Sequence, residues 1–273
     1  MHMSRTQSSK EDPTVNVFYV LNGKKLKQYF ILALAVVFTA GVIYAERENI
    51  AVFMQDSGPA AVFKVETDQP VLALTFDISW GDVRAEPIID TLLENGVTKA
   101  TFFLSSPWAE QHPDIVRKIV DAGFEIGSHG HKHDNYSQMS DEEIERQLRA
   151  AHTILTETAG REPNLLRLPN GDFDKRVLAI ADRMGYTVIQ WDTDPKDWTN
   201  PGVNRIVSTV VSRAHPGDIV LLHASDSAKQ TREALPQIIE GLRGKGYKFV
   251  TVSELLAGVT AEGGAAQEQT QKK

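Results

Sequence analysis

The chain has no cysteine among its 273 residues, and this absence excludes several kinds of chemistry at once. Disulfides, thiolate zinc sites and cysteine nucleophiles are all ruled out, so any metal ion must be held by histidine and carboxylate side chains. The sequence also lacks a cluster of lysine and arginine after residue 27, and its formal net charge is -7. Because binding to a phosphate backbone needs clustered cations, no nucleic acid partner is expected.

Charged residues are absent from one stretch near the N-terminus, residues 29–45, which forms an apolar run of 17 residues. Lys24, Lys25 and Lys27 precede the run, and Glu46, Arg47 and Glu48 follow it. The run is at the short end of what spans a bilayer as a helix, and its flanking charges predict a cytoplasmic N-terminus with the remainder exported. We therefore expect a single-pass cell-membrane protein with an extracytoplasmic catalytic domain. A cleaved signal peptide and a buried core helix are the alternatives.

Apolar residues are also scarce at the C-terminus, where residues 258–273 are predicted to be a disordered tail. Residues 1–28 are expected to be a cytoplasmic segment, 29–45 a transmembrane anchor and 46–64 a linker. One large domain then covers residues 65–257.

Seven short apolar runs in this domain, rich in β-branched and aromatic residues, predict strands. They are Val71 to Phe76, Ala100 to Leu104, Phe124 to Gly127, Leu165 to Leu168, Thr187 to Trp191, Asp218 to Leu222 and Lys248 to Val252. Segments with helical spacing of apolar residues lie between them. Strands that alternate with helices predict an α/β fold with a parallel sheet, and periodicity leaves open whether the sheet is doubly wound or closed into a barrel.

The helix starts carry their own signals. Pro87 and Pro113 are each expected at the first position of a helix, where a missing N–H does no harm. Ser140 and Glu143 predict a capping box at the start of a helix that continues to about residue 158. Asp174 predicts a further N-cap.

Polar residues follow five separate strands of the predicted sheet. They are Asp77, the pair His129 and His133, Arg167, the segment WDTDPKDW at 191–198, and His223. In parallel α/β folds the carboxyl ends of the strands open on one face, and functional groups collect there. The sequence therefore predicts that these side chains share one cleft.

Each of these residues has a simpler explanation when it is taken alone. His129 and His133 have a four-residue spacing that suits a shared cation, but such a pair is also a common surface feature. Asp77 could cap a turn, although a carboxylate among apolar residues is costly unless it is paired. Arg167 could form a structural ion pair, and His223 could be a core histidine. Their convergence, rather than any single motif, favours a functional site.

The motifs TFD, HxxxH, RxPxG, DW and LxH, in that order, resemble those of the NodB-homology polysaccharide deacetylases, carbohydrate esterase family four. The resemblance covers residues 65–257. It implies a distorted (β/α) barrel of about seven parallel strands. It also implies metal-dependent hydrolysis of N-acetyl groups on a polysaccharide of the peptidoglycan type. The implied cofactor is a divalent metal ion, with zinc as the first candidate.

The resemblance also implies a role for each matching residue. The catalytic base, the general acid, the arginine that holds the base and the carboxylate that orients the acid are Asp77, His223, Arg167 and Asp197. The implied metal ligands are His129 and His133. The residues expected to contact the substrate are Asn170 through its backbone N–H, Leu221 at the acetyl methyl group, and Trp198 and Trp80 on the cleft walls.

The sequence departs from the family pattern at Ile78, where a second aspartate usually binds the metal. An aliphatic side chain cannot coordinate a metal, so the site is expected to be weak unless Asp82 or Asp134 substitutes. The stretch FDISWG resembles the sporulation-associated (PdaB-like) branch of the family, which implies a role in forming the spore wall or in signalling. Two hypotheses follow. The first is an active wall-glycan deacetylase, and the second is a catalytically weak or inactive protein that binds wall glycan in the same cleft, with Trp80, Trp108 and Trp198 as aromatic walls for sugar stacking.

Overall fold

The computed structural model describes residues 58–258 and three isolated positions, 27, 33 and 34. Within these residues, none of the helices has the length and apolar character needed to cross a membrane. Apart from those three positions, the predicted segments 1–28 and 29–45 lie outside the described residues, as do most of the linker and nearly all of the tail. Their assignments stay predictions.

Seven strands and seven helices make up the described domain, with three short 3-10 turns among them. The strands are β1 (Val71–Ile78), β2 (Thr101–Leu104), β3 (Glu125–Ser128), β4 (Leu165–Leu166), β5 (Thr187–Val188), β6 (Ile219–His223) and β7 (Lys248–Phe249). The helices are α1 (Ala85–Glu94), α2 (Ser106–Gln111), α3 (Pro113–Asp121), α4 (Asp141–Ala159), α5 (Lys175–Arg183), α6 (Val203–Arg213) and α7 (Thr231–Gly244). The 3-10 turns are Tyr136–Gln138, Pro169–Gly171 and Asp197–Thr199. All seven predicted strands are confirmed, several of them shorter than expected.

The strands pair in parallel in the order β5, β4, β3, β2, β1, β6, and β7 pairs with the start of β1. The two edges of this sheet meet beyond β5, where Thr193 bridges Val220 of β6. There the Leu221 N–H donates to the Thr193 carbonyl at 2.9 Å. The sheet is therefore a curled parallel α/β structure, consistent with the distorted (β/α) barrel that the resemblance implies. Val62 also bridges Ile189, so sheet pairing begins before residue 65.

Strand β1 sends alternate side chains to opposite sides of the sheet, as the period of a strand requires. The outward-facing residues belong to the large apolar cluster under the helices and are Leu72, Leu74, Phe76 and Ile78. On the other side, Ala73 joins an inner cluster with Phe103 and Ile219. The same alternation places Asp77 on the interior side of the barrel.

The predicted helix caps are confirmed except at one position. Ser140 Oγ accepts the Glu143 N–H at 3.3 Å, which is one half of the predicted capping box. Asp174 Oδ1 accepts the Val177 N–H at 2.8 Å, and Pro113 is the first residue of α3. The prediction for Pro87 was wrong, because α1 begins at Ala85 and the proline is its third residue. It still lies in the first turn, where no intrahelical bond needs its N–H.

A charged cluster lies where the two sheet edges meet. The His215 ring has Nδ1 at 2.9 Å from the Pro216 carbonyl and Nε2 at 3.0 Å from Asp192 Oδ2. Both neighbours are acceptors, so this geometry favours the positively charged imidazole, in which both ring nitrogens donate. Asp218, which is fully buried, has its Oδ1 4.0 Å from Nε2. Lys64 adds a second cation, 4.0 Å from Asp192.

We expect stability to fall with rising pH because of this cluster. Burial opposes the charge on His215, but the Pro216 carbonyl, Asp218 and Asp192 outweigh it and raise the pKa of the imidazole. A raised folded-state pKa gives stability that is complete below the unfolded value of about 6.5 and is lost as pH rises through the folded value. Burial also raises the pKa of Asp218, which acts in the same direction.

The measurement is the free energy of unfolding of the native protein and of His215→Gln between pH 5 and 9. The native protein should be the more stable at pH 5, and the difference should shrink above pH 6.5. A difference that does not depend on pH would contradict a charged His215.

Candidate active site

The carboxyl ends of the strands surround one cavity of about 630 Å³. Eight of the ten predicted site residues line it: Asp77, Trp80, His129, His133, Asn170, Trp198, Leu221 and His223. The other two, Arg167 and Asp197, are fully buried behind the wall and contact Asp77 and His223. The structure therefore brings all ten together. His131 does not line the cavity, and its Nδ1 lies 2.8 Å from Ser106 Oγ.

Arg167 connects three parts of the barrel interior. Its Nη1 donates to Asp77 Oδ1 at 2.9 Å and to Thr75 Oγ1 at 2.8 Å. Its Nη2 donates to the Gln190 carbonyl at 2.9 Å. The guanidinium carbon lies 4.2 Å from the centre of the Phe103 ring, a cation–π contact. A fully buried cation is thus paired with one carboxylate at the end of β1.

This pairing keeps Asp77 ionised. Burial alone would raise its pKa, but the charge of Arg167, with contributions from His129 and His223, outweighs burial and holds the pKa of the carboxyl below its ordinary value. Asp77 is only 4% exposed, so the negative charge persists in a place that water hardly reaches. A buried carboxylate that is charged at neutral pH can accept a proton.

His129 presents a neutral nitrogen to the cavity. Its Nδ1 lies 2.7 Å from the Arg167 carbonyl, and because a carbonyl only accepts, Nδ1 carries the proton. Nε2 then has the free lone pair, 3.9 Å from Asp77 Oδ2. Burial lowers the pKa of His129 to about 4, so the ring is neutral at physiological pH. The His133 ring lies 5.4 Å away, centre to centre.

The side chains present do not complete a three-ligand metal site. Catalytic zinc is held by three protein ligands, and the described part of the chain contains no group of three histidine or carboxylate side chains placed to share a metal. Ile78 is fully buried in the outer apolar cluster. Within the described residues, neither Asp82 nor Asp134 joins the two histidines in such a group, so the suggestion that one of them replaces the missing aspartate stays a prediction.

The carboxylate of Asp197 fixes the orientation of His223. Its Oδ1 lies 2.7 Å from His223 Nδ1 and also accepts the Trp198 N–H at 2.9 Å. Its Oδ2 accepts the His223 N–H at 2.8 Å and the Thr231 hydroxyl at 2.6 Å. Nε2 is left as the ring nitrogen available to the cavity that His223 lines.

The same contacts favour the protonated form of His223. Burial would lower its pKa, but the hydrogen bond and the charge of Asp197, together with the charge of Asp77, outweigh burial and raise it. His223 and Asp77 are paired in register on β6 and β1, so an imidazole and a carboxylate stand side by side.

Three tryptophans line the cavity, Trp80, Trp191 and Trp198, whereas Trp108, also expected on the cleft wall, is buried outside it. Trp80 and Trp198 are 55% and 48% exposed, whereas Leu221 is 3% exposed at the base of the wall. Asn170 has a φ of 59°, a left-handed conformation that asparagine tolerates better than most residues. Its Nδ2 donates to Asn135 Oδ1 at 2.9 Å, which fixes the loop.

Several contributors to the site were not predicted from the sequence. The unpredicted residues are Thr75 and Gln190, which bind Arg167, and Thr231, which binds Asp197. Trp191, Asp194 and Lys196 line the cavity and belong to the predicted segment 191–198, although no individual role was predicted for them. Thr75 could have been found, because it lies two residues before Asp77 on the same face of β1. Thr231 gives no local signal.

A comparison with known families agrees with this site. Residues 64–189 match the family described as polysaccharide deacetylase. A peptidoglycan-N-acetylglucosamine deacetylase of Bacillus cereus is 36% identical over 197 residues, which are 71% of this chain and 92% of that protein. The chain belongs to the polysaccharide deacetylase family, the hydrolases of carbohydrate esterase family four.

Two further similar proteins are not described as active deacetylases. The uncharacterized protein YlxY of Bacillus subtilis is 31% identical over 206 residues, and the match covers 76% of this chain but only 63% of that protein. A solved structure of a CE4 family pseudoenzyme from Bacillus anthracis is 32% identical, with a TM-score of 0.69 over 74% of this chain and 70% of that one. The family thus includes both deacetylases and a protein described as inactive.

Removing Arg167, the cation of the buried ion pair, should destabilise the folded protein. In Arg167→Met, the buried carboxyl of Asp77 loses its partner, and the loss of one member of a buried ion pair typically lowers stability by about 3–5 kcal/mol. We expect a loss of this size in the free energy of unfolding, measured by denaturant titration. The double variant Arg167→Met/Asp77→Leu should recover most of it. A single variant as stable as the native protein would contradict a buried charge pair.

Proposed function

We propose that the protein hydrolyses the N-acetyl groups of cell-wall glycan, with the N-acetylglucosamine units of peptidoglycan as substrate. The observation that carries this proposal is the pairing of an ionised Asp77 with an Asp197-held His223 on neighbouring strands, in one cavity. The names of the relatives support the choice of substrate, because the similar Bacillus cereus protein is a peptidoglycan-N-acetylglucosamine deacetylase.

The two side chains suit the two proton transfers of amide hydrolysis. Asp77 takes a proton from the attacking water as its oxygen forms a bond to the acetyl carbonyl carbon. His223 gives a proton to the sugar nitrogen as the carbon–nitrogen bond breaks. The products are acetate and a free amine on the sugar.

The remaining cavity residues would hold the substrate. We assign the backbone N–H of Asn170 to the oxyanion that forms on the carbonyl oxygen, since a backbone donor there would stabilise developing charge. Leu221 would contact the acetyl methyl group. Trp80 and Trp198 would stack against sugar rings, as large, rigid aromatic side chains commonly do at binding surfaces.

We further propose that His129 and His133 are the residues that would hold a divalent cation, with zinc as the first candidate. Two imidazoles without a third protein ligand bind a metal more weakly than the usual catalytic set. Metal content after purification should therefore be low and should depend on added zinc.

A second candidate function is glycan binding with little or no catalysis. Ile78 favours it, because the position of the usual ligand is taken by a buried aliphatic side chain. The similarity to a structure described as a CE4 family pseudoenzyme favours it too. In this case the cavity and its tryptophans would bind wall glycan without releasing acetate.

The proposed place of action is outside the cell membrane, with residues 29–45 as the anchor. The apolar run and the lysines before it support this location. A role in sporulation is also proposed, on the resemblance of FDISWG to the sporulation-associated branch.

The test of the first proposal is acetate release from peptidoglycan and from N-acetylglucosamine oligomers. The native protein should release acetate, and Asp77→Asn should lower kcat by roughly 10²–10⁴, the usual worth of a positioned acid or base. Asp182→Asn, an exposed carboxylate on α5, is the control and should retain full activity. Equal rates for native protein and Asp77→Asn would reject Asp77 as the base.

Ile78→Asp separates the two candidate functions. The resemblance, which assigns a metal-binding carboxylate to this position, predicts that the variant retains more zinc than the native protein and releases acetate faster. The packing of Ile78 in the outer apolar cluster, on the face of β1 opposite Asp77, predicts no gain in zinc. The variant should also lower the melting temperature in the absence of zinc, since a carboxylate replaces a fully buried side chain.

Zinc per chain is measured by elemental analysis, with Ile78→Asn as the matched control. If both variants hold equal zinc, position 78 does not reach the cation. Native protein that binds oligosaccharide but releases acetate no faster than Asp77→Asn would establish the second function.

A further inference from the structure

Trp80 is the most exposed of the aromatic side chains that line the cavity. It lies on the connection between β1 and α1, within residues 79–84, and is 55% exposed. An indole ring is a large contact surface that loses little conformational entropy on binding, provided that its backbone is already fixed. The contribution of Trp80 to the affinity for a bound sugar therefore depends on what holds this connection in place.

The connection is attached to the residues that follow His223. The Ser79 N–H donates to Ser225 Oγ at 2.8 Å. The Asp226 N–H donates to the Trp80 carbonyl at 3.4 Å. The backbone is thus held by one hydrogen bond at Trp80 and by another at the residue before it.

The Asp226 carboxylate supplies the largest set of these bonds. Its Oδ1 accepts the N–H groups of Val83 and Arg84, each at 3.0 Å, and its Oδ2 accepts the Asp82 N–H at 3.3 Å. Three successive N–H groups that converge on one carboxylate form an anion-binding concavity. Hydrogen bonds to a charged acceptor are stronger than those between neutral groups.

Gly81 allows the carboxylate to approach so closely. Its φ is +90°, and a Cβ added there would overlap Asp226 Cγ, so a larger residue does not fit. The Gly81 carbonyl accepts a hydrogen bond from the buried Trp108 Nε1 at 2.6 Å, which fixes the connection from its other side. Gly81 is the residue directly after Trp80, so the backbone on this side of the indole is also held.

We propose that Asp226 is a positioning residue for glycan binding, which holds residues 79–84 so that Trp80 forms a fixed stacking wall of the cavity. This inference rests on the proposed function, because the bound glycan is that function's substrate. Asp226 touches no reacting atom and acts through Trp80. The segment that carries it begins directly after His223, so the general acid and the sugar wall are set by one stretch of backbone.

The experiment measures the affinity of the full chain for the N-acetylglucosamine tetramer by isothermal titration calorimetry, together with KM and kcat for acetate release. Trp80→Ala should weaken tetramer binding roughly tenfold, the size expected when one aromatic anchor is lost. Asp226→Ala should weaken it to a similar degree, raising KM and leaving kcat unchanged. Asp226→Asn keeps an acceptor oxygen and should recover most of the affinity.

The double variant Trp80→Ala/Asp226→Ala tests whether Asp226 acts through the tryptophan. Its loss of affinity should equal that of Trp80→Ala alone, since a residue that works only through Trp80 has nothing further to lose. Asp174→Ala is the matched control, because Asp174 also accepts a backbone N–H, at the start of α5, away from the cavity. It should lower stability and leave tetramer affinity unchanged.

Three results would overturn the proposal: unchanged affinity in Asp226→Ala, additive losses in the double variant, or an equal loss in Asp174→Ala. A native protein that binds no tetramer would overturn it as well. Tetramer affinity and acetate release are separate measurements. The positioning role of Asp226 can therefore be established even in a protein that fails as a deacetylase.

Discussion

The buried ion pair between Arg167 and Asp77 is the constraint on which the site depends. A fully buried guanidinium must find partners inside the barrel, and it finds them on β1, at the carbonyl of Gln190 and over the face of Phe103. These contacts join strands that are far apart in sequence and fix the end of β1. The orientation of His129 follows from the same residue, because its Nδ1–H donates to the Arg167 carbonyl.

From this pair the protonation states of the cavity follow. Arg167 keeps Asp77 ionised, burial keeps His129 neutral, and Asp197 favours the charged form of His223. Three titratable groups in one cavity thus have different preferred states at the same pH. Environments that push the pKa values of neighbouring groups apart are typical of acid and base pairs in catalysis. The arrangement is electrostatic in origin.

The strands and most site residues could be predicted from the sequence because both depend on local patterns. Apolar runs mark the seven strands, and polar residues directly after them mark the cavity. Contacts across the barrel were not predictable in this way. Thr231 donates to Asp197 from 34 positions along the chain, and the closure of the sheet at Thr193 and Val220 leaves no periodic signal. The surroundings of Ile78 were not predictable either. The sequence shows only that an isoleucine replaces the usual metal ligand, and its burial in the outer apolar cluster is visible only in the structure.

The charges inside the barrel favour catalysis over binding alone. Replacing a buried ion pair by apolar residues of similar volume is often neutral or stabilising by about 1–4 kcal/mol, so stability alone seldom requires a pair such as Arg167 and Asp77. Glycan binding would need the exposed tryptophans and the shape of the cavity, but not a carboxylate held ionised beside an oriented imidazole. Ile78 argues against tight metal binding, and a bound divalent cation would both polarise the substrate carbonyl and make the attacking water easier to deprotonate. The proposed base and acid, Asp77 and His223, are nevertheless held by Arg167 and Asp197, which do not depend on a metal.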